Sequence, residues 1–128
     1  MLSLPGETVV FCVDDSNRRL LESAGAAVCV VPAIGGQTDL PSVLRTLTEW
    51  EINDVLVEAG PAVAGGLLAA GLVDELVIYQ APHMMGSETR GMISTPEWQA
   101  LEQRLTLDIV DVRKLGRDIR ILARPAEE

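Results

Sequence analysis

The order of apolar runs in the first half of the chain is the feature that most restricts its fold. Residues 8–13 (TVVFCV), 27–31 (AVCVV) and 54–57 (DVLV) are short, mostly apolar and rich in valine. Between them, residues 14–25 and 39–50 carry helix-capping residues, a glycine stop signal and apolar side chains at helical spacing. Strands that are apolar on both faces and alternate with helices predict a mostly parallel sheet with helices on both faces.

The second half of the chain continues this alternation and then changes character. Residues 61–71 predict a short helix and residues 75–81 a strand, followed by an irregular stretch over 82–96 and a short helical piece over 96–103. Apolar and polar residues then alternate over 105–125 on either side of a Gly-Arg-Asp turn, which predicts an antiparallel hairpin. The predicted fold is therefore a mixed α/β sheet, mostly parallel, that ends in an antiparallel hairpin.

Composition narrows the class of protein. A chain of 128 residues that is 48% hydrophobic suits a single domain, 1–128, and an aromatic content of 3% predicts an aliphatic core. The formal charge of −9 and the scattered basic residues argue against a nucleic-acid-binding face. No apolar run approaches the roughly 20 residues of a membrane helix. The first residues also lack the pattern of a signal peptide, so we expect a cytoplasmic protein.

Cysteine and histidine content bears on metal binding. Cys12 and Cys29 lie inside predicted strands, which predicts free thiols in a reducing compartment. Because His83 is the only histidine and the sequence has no C-x-x-C motif or Cys/His ligand spacing, we expect no metal site.

Glu58 stands where the third predicted strand gives way to a turn with few side chains. Ligands bind beyond the carboxyl ends of strands in open α/β sheets, and a helix that begins at Pro61 after Gly60 would present free N–H groups to a phosphate. The spacing matches neither G-x-x-x-x-G-K-[ST] nor G-x-G-x-x-G. Two interpretations stay open: a ligand-binding turn, or a tight packing turn in which Glu58 only caps the helix.

Other polar residues are weaker candidates. Asp14 and Asp15 end the first predicted strand and suit either a cofactor-ribose contact or a helix cap. Asp74 and Glu75 fit a solvated turn before the next strand better than an acid/base pair. The polar loop 87–90 fits either solvent surface or the mouth of a pocket.

The stretch EAGPAVAGGLLAAGLVDELVIYQAPHMMGSETRGM carries a family resemblance. Its LVEAGP, AGLVDELVIY, AP and MMGSETRG segments resemble, in order and spacing, the pyrimidine reductase half of the bifunctional deaminase–reductase family of riboflavin biosynthesis. That family has a dihydrofolate-reductase-like fold. The closing RLTLDIVDVRKLGRDIRI is similar to the family's terminal hairpin, so the resemblance covers residues 54–123 closely.

The resemblance implies a reaction and a site. It implies NADPH-dependent reduction of 5-amino-6-(5-phosphoribosylamino)uracil, a small pyrimidine substrate, to the ribityl product. Glu58 would contact this substrate. The turn and helix start would hold NADPH through Gly60, Pro61, Ala62, Val63, Ala64, Gly65 and Gly66.

Two departures from the family shape the functional expectation. His83 stands where the family often has lysine, and it is assigned no role. The family's reductase domain also begins upstream of Thr8, so we expect this chain to correspond to the C-terminal portion of that domain, without its N-terminal strands. We therefore expect little activity from the chain alone, and we expect it to form a homo-oligomer. The alternative is a non-catalytic α/β module that binds a nucleotide or assembles with itself.

Overall fold

The computed structural model describes residues 6–86, 88–89, 91–95 and 104–126. The chain divides into two compact units, Met1–Leu56 and Val57–Glu128, and each is described by itself. No helix within the described ranges has the length and apolar character needed to span a membrane.

The first unit is built on a parallel strand pair. Strand β1 (Thr8–Cys12) pairs in parallel with β2 (Ala26–Val30), and helix α1 (Arg18–Ser23) connects them. This β-α-β unit confirms the strand–helix–strand alternation predicted for residues 8–31. The side chains of Ala26 and Val31 are buried.

A short hairpin and a second helix complete this unit. Strands β3 (Ala33–Ile34) and β4 (Gln37–Thr38) are antiparallel, where the sequence predicted only a loop. Two glycines with positive φ angles join them, as a tight hairpin turn requires. Helix α2 (Leu40–Glu49) follows as predicted, and Trp50 at its end stacks on Phe11 with ring centroids 5.8 Å apart.

The predicted third strand, residues 54–57, is wrong. These residues belong to no strand, and Val55, Leu56 and Val57 are 47%, 85% and 45% exposed. Among the described residues, the backbone groups of 54–59 make no backbone hydrogen bond. A strand needs a hydrogen-bonded neighbour, and an apolar sequence does not by itself supply one.

The second unit contains one helix and three antiparallel strands in its described part. Helix α3 (Pro61–Ala69) precedes strand β5 (Leu76–Gln80), and β6 (Leu107–Leu115) and β7 (Asp118–Pro125) follow. The strand order is β5-β7-β6, and a bulge interrupts the β6 register between Ile109 and Asp111. The terminal hairpin is therefore confirmed. The helical piece predicted over 96–103 lies outside the described residues.

The prediction of one mostly parallel sheet needs correction. The described strands form three separate sheets, and only the β1–β2 pair is parallel. Strand β5 is antiparallel to β7. The prediction failed here because an apolar strand pattern does not distinguish a parallel from an antiparallel neighbour. Helices on both faces are likewise not seen around β5-β7-β6, where α3 is the only helix of the described part.

The core of the second unit lies between α3 and this sheet. Leu67 and Leu68 of α3 and Ala123 of β7 are buried, and Ala123 is 0% exposed. An apolar cavity of about 270 Å³ lies beside them, lined by Leu68, Leu76 and Ile78 among others. The C-terminal half of α3 is thus the buried half, whereas its first residues, Ala62 and Val63, are exposed.

Candidate functional site

The N-terminus of α3 is open to solvent and has no side-chain cap. Gly60 is the N-cap residue, with φ −73° and ψ 169°, and Pro61 occupies the first turn. The N–H of Ala64 donates to the Gly60 carbonyl at 3.1 Å, which is the first bond of the helix. The N–H groups of Ala62 and Val63 have no partner among the described residues, and both residues are exposed. This end of the helix therefore offers two N–H donors and the positive end of its dipole.

Gly60 and Gly65 differ in what surrounds them. A Cβ atom on Gly60 would meet nothing within 4 Å, and its φ angle is one that any residue adopts. A Cβ atom on Gly65 would lie 1.8 Å from the Ser94 carbonyl oxygen, and the Ser94 N–H donates to the Pro61 carbonyl at 3.0 Å. Gly65 is thus required for packing, whereas Gly60 leaves open space at the helix end.

Glu58 lies next to this helix end along the chain and is exposed. It is not the N-cap residue, so the interpretation of Glu58 as the helix cap is wrong. It also does not end a sheet strand, since residues 54–57 form none. Its carboxylate has no hydrogen bond or ion pair within the described ranges and is available to accept hydrogen bonds from a ligand.

The other residues of the predicted site follow the same helix. Ala62 and Val63 are exposed, Pro61, Ala64 and Gly66 are half-buried, and Gly65 is buried. The exposed positions of the set are therefore at its beginning, around Gly60. Small side chains there allow the close approach of a ligand.

Asp14 and Asp15 do not cap α1, because Asn17 is its N-cap residue. The hydroxyl and the backbone N–H of Ser16 both donate to the Asp14 carboxylate, the latter at 2.9 Å. These hydrogen bonds hold the pKa of Asp14 below its usual value. Asp15 pairs with Arg18 at 3.8 Å.

A cavity of about 380 Å³ lies at the carboxyl end of β1, where sequence reasoning named only Asp14. Phe11, Asn17 and Thr38 also line it. Asn17 could have been found from the sequence, because it follows the end of a predicted strand. Thr38 could not, because it lies in a hairpin that was not predicted.

The remaining candidates are ordinary surface residues. Glu75 pairs with Arg124 at 3.2 Å, and Asp74 is exposed, as expected for a solvated turn. Glu88 and Thr89 are exposed, and positions 87 and 90 of the same loop lie outside the described residues. His83 is exposed as well.

Comparison with known proteins supports the resemblance seen in the sequence. A family model described as the RibD C-terminal domain matches residues 3–121. The chain belongs to this family. The RibD resemblance inferred from the LVEAGP and AGLVDEL segments is thereby confirmed.

Individual relatives of this chain carry related names. The riboflavin biosynthesis protein RibD of Escherichia coli K12 is 36% identical over 115 residues, covering 90% of this chain and 31% of that protein. The 5-amino-6-(5-phosphoribosylamino)uracil reductase of Buchnera aphidicola subsp. Acyrthosiphon pisum is 36% identical over 84 residues, covering 66% of this chain and 41% of that protein. The chain thus spans less than half the length of both curated relatives.

A solved structure shows the same fold. The structure of Acinetobacter baumannii RibD matches this chain with a TM-score of 0.78 at 29% identity, covering 92% of this chain and 31% of that chain. The α/β architecture is therefore that of the RibD reductases, although the strands here pair in separate sheets.

Proposed function

We propose that this chain takes part in the NADPH-dependent reduction of 5-amino-6-(5-phosphoribosylamino)uracil in riboflavin biosynthesis. Membership of the RibD C-terminal domain family and the name of the Buchnera relative support the reaction class. NADPH would supply the hydride for the opened ribose carbon of this substrate, so the work of the protein would be binding and orientation.

The uncapped N-terminus of α3 is the observation that carries the proposal. A dinucleotide cofactor has a pyrophosphate, which needs N–H donors and room for close approach. The N–H groups of Ala62 and Val63 supply the donors, and the open space at Gly60 supplies the room. The residues present therefore fit the phosphate portion of NADPH. The contact would concentrate at the exposed positions 60–63, since Gly65 is occupied in packing against Ser94.

Glu58 is proposed to bind the substrate. The Glu58 carboxylate is exposed and has no hydrogen bond or ion pair among the described residues. It can therefore accept hydrogen bonds from the ribose hydroxyl or amino groups of the pyrimidine substrate. Its place two positions before Gly60 puts the substrate contact and the cofactor contact on consecutive stretches of chain.

We further propose that the 128-residue chain binds the cofactor but turns over slowly alone. Glu58, Gly60 and Ala62 are all exposed, so this helix end does not exclude water from the reacting groups. Hydride transfer depends on holding two reactants in one geometry away from water. A homo-oligomer is the proposed means of covering the site, and the exposed apolar residues 55–57 favour self-association.

Calorimetric titration with NADPH, followed by an NADPH-oxidation assay with the ribosylamino-pyrimidine, tests the proposal. We expect measurable binding and a low rate that rises with protein concentration. Absence of NADPH binding would contradict the cofactor role and leave a non-catalytic module. A high rate at concentrations where the chain is monomeric would contradict the need for an oligomer.

A further inference from the structure

The methionines of the chain are concentrated in one short stretch at its surface. Three of the four, Met84, Met85 and Met92, lie in the segment that follows β5. They are 104%, 76% and 61% exposed. A thioether that solvent reaches is open to peroxides, because its sulfur accepts an oxygen atom and becomes a sulfoxide. All three side chains are therefore accessible to such an oxidant.

Met92 differs from the other two methionines in its surroundings. It lines the apolar cavity of about 270 Å³ in the second unit, together with Leu68 and Leu76. The described lining residues do not include Met84 or Met85. The Met92 side chain therefore contacts both solvent and the apolar interior of this unit. A sulfoxide is polar, and placing it against leucine side chains costs free energy unless a hydrogen-bond donor accompanies it.

The segment that carries Met92 also contacts the first turns of α3. Two residues further along the chain, the Ser94 N–H donates to the Pro61 carbonyl at 3.0 Å. The Ser94 carbonyl oxygen fills the space beside Gly65. The segment is thus held on one side by the cavity and on the other by the helix. Loss of the contact at the cavity weakens the hydrogen bond at the helix.

We propose that Met92 is a modification site through which hydrogen peroxide loosens the N-terminus of α3. The sulfur bonds to one peroxide oxygen and the O–O bond breaks. The proton on the transferred oxygen passes to the departing hydroxide, so the products are methionine sulfoxide and water. Sulfur loses two electrons and the peroxide gains them.

The structural consequence follows from the polarity of the product. The sulfoxide of Met92 turns from the cavity to solvent, the hydrogen bond from Ser94 to Pro61 opens, and the first turn of α3 loses this support. The effect on NADPH rests on the proposed function, which assigns the cofactor phosphates to this end of the helix.

Hydrogen exchange at the Ser94 amide measures the loosening directly. The full chain is treated with hydrogen peroxide, and peptide mass spectrometry establishes that Met92 is oxidised. Exchange of the Ser94 N–H, followed by NMR, should then be about fivefold faster. Enzymatic reduction of both sulfoxide epimers should restore the slower rate. An unchanged Ser94 rate in a chain with oxidised Met92 would overturn the proposal.

Matched variants assign the effect to one methionine. Met92→Leu keeps an apolar side chain of similar volume and has no sulfur, so peroxide should leave its Ser94 exchange unchanged. The double variant Met84→Leu/Met85→Leu keeps Met92 and should respond as wild type does. Both proteins retain the two cysteines, so thiol oxidation does not account for a difference between them. The reverse pattern would assign the effect to Met84 or Met85 and refute the role of Met92.

NADPH binding separates this proposal from the proposed function. Calorimetry should give a dissociation constant about threefold higher after oxidation of wild type and an unchanged one after treatment of Met92→Leu. Faster Ser94 exchange in a chain that binds no NADPH in either state would keep the modification site and remove the cofactor role. NADPH binding with unchanged Ser94 exchange would keep the cofactor role and remove the modification site.

Discussion

The carbonyl oxygen of Ser94 fills the space beside Gly65 where any other residue would carry its Cβ atom. The ideal Cβ position lies 1.8 Å from that oxygen, well inside van der Waals contact. The neighbouring hydrogen bond from the Ser94 N–H to the Pro61 carbonyl, 3.0 Å long, holds the two segments at this separation. The 91–95 segment is thus fixed against the first turns of α3, and its position depends on a glycine.

Gly65→Ala is therefore expected to destabilise the protein. Helix propensity alone would favour alanine by up to about 1 kcal/mol. The clash with backbone outweighs this gain, because a main-chain carbonyl does not rotate aside as a side chain does, and we expect a net loss of about 2 kcal/mol. Urea unfolding measures this loss as a lower midpoint concentration with an unchanged m-value. Gly60→Ala is the control, with a change below about 1 kcal/mol since nothing lies within 4 Å of the added atom. Equal losses in the two variants would show that the contact with Ser94 is unimportant.

Gly60→Asp should raise stability and lower cofactor affinity together. The φ and ψ angles of Gly60 are those of an ordinary N-cap residue, and an aspartate there would accept from the free N–H groups of the first turn. We expect a gain of about 0.5–1 kcal/mol in the free energy of unfolding. The same carboxylate would occupy the donors proposed for the NADPH phosphates and repel them, so affinity should fall at least about tenfold.

Gly60→Asn separates the two effects of that change. It caps the helix without a negative charge, so it should give a smaller gain in stability, a few tenths of a kcal/mol, and a smaller loss of NADPH affinity. If both variants unfold at higher urea concentrations but bind NADPH as wild type does, a phosphate contact at the α3 N-terminus would be contradicted.

The parts of the fold that were predictable from sequence are those decided by nearby residues. The β6–β7 hairpin was predicted because its alternation and the glycine turn, where Gly116 has φ 61°, lie within one short stretch. The β-α-β unit was predicted for the same reason. The hairpin of β3 and β4 was missed because its strands have two residues each, too few for a period-two pattern.

The errors arose where distant residues decide the structure. Residues 54–57 have the composition of a strand, but whether they pair depends on a neighbour that the local sequence does not specify. The sequence does not show that Gly60 and Gly65 have different surroundings. Only the structure shows that Gly65 packs against the Ser94 backbone, whereas Gly60 has open space beside it. The candidate site was therefore located from sequence, while the division of roles within it required the structure.

Glu58→Gln should weaken the binding of the pyrimidine substrate and leave NADPH affinity unchanged. The carboxylate is proposed to accept hydrogen bonds from the substrate, and a bond to a charged group contributes about 1.5–3 kcal/mol. The dissociation constant for the substrate should therefore rise at least about tenfold, as measured by calorimetry in the presence of saturating NADPH. Asp54→Asn is the control, because Asp54 is also exposed and precedes the turn. Loss of both affinities in Glu58→Gln would contradict a substrate-specific role.

Acid should destabilise the second unit partly through Asp111. The guanidinium of Arg120, 2.7 Å away across the β6–β7 pair, is the main cause that lowers the pKa of Asp111, and Arg113 at 2.9 Å adds to it. A carboxyl group with a lower pKa in the folded state stabilises the fold above its unfolded-state pKa of about 3.9. This contribution is then lost as the pH falls from there through the folded-state pKa.

The corresponding variant is Asp111→Asn, compared with wild type by urea unfolding from neutral pH down to about pH 3. The variant should be less stable at neutral pH, and its stability should decline less steeply below about pH 4, so that the two curves converge in acid. Asp108→Asn serves as the control, since Asp108 is exposed on the same strand and has no ion pair among the described residues. Its curve should follow that of wild type. Parallel curves for Asp111→Asn and wild type across this range would show that the ion pair with Arg120 does not contribute to the pH dependence.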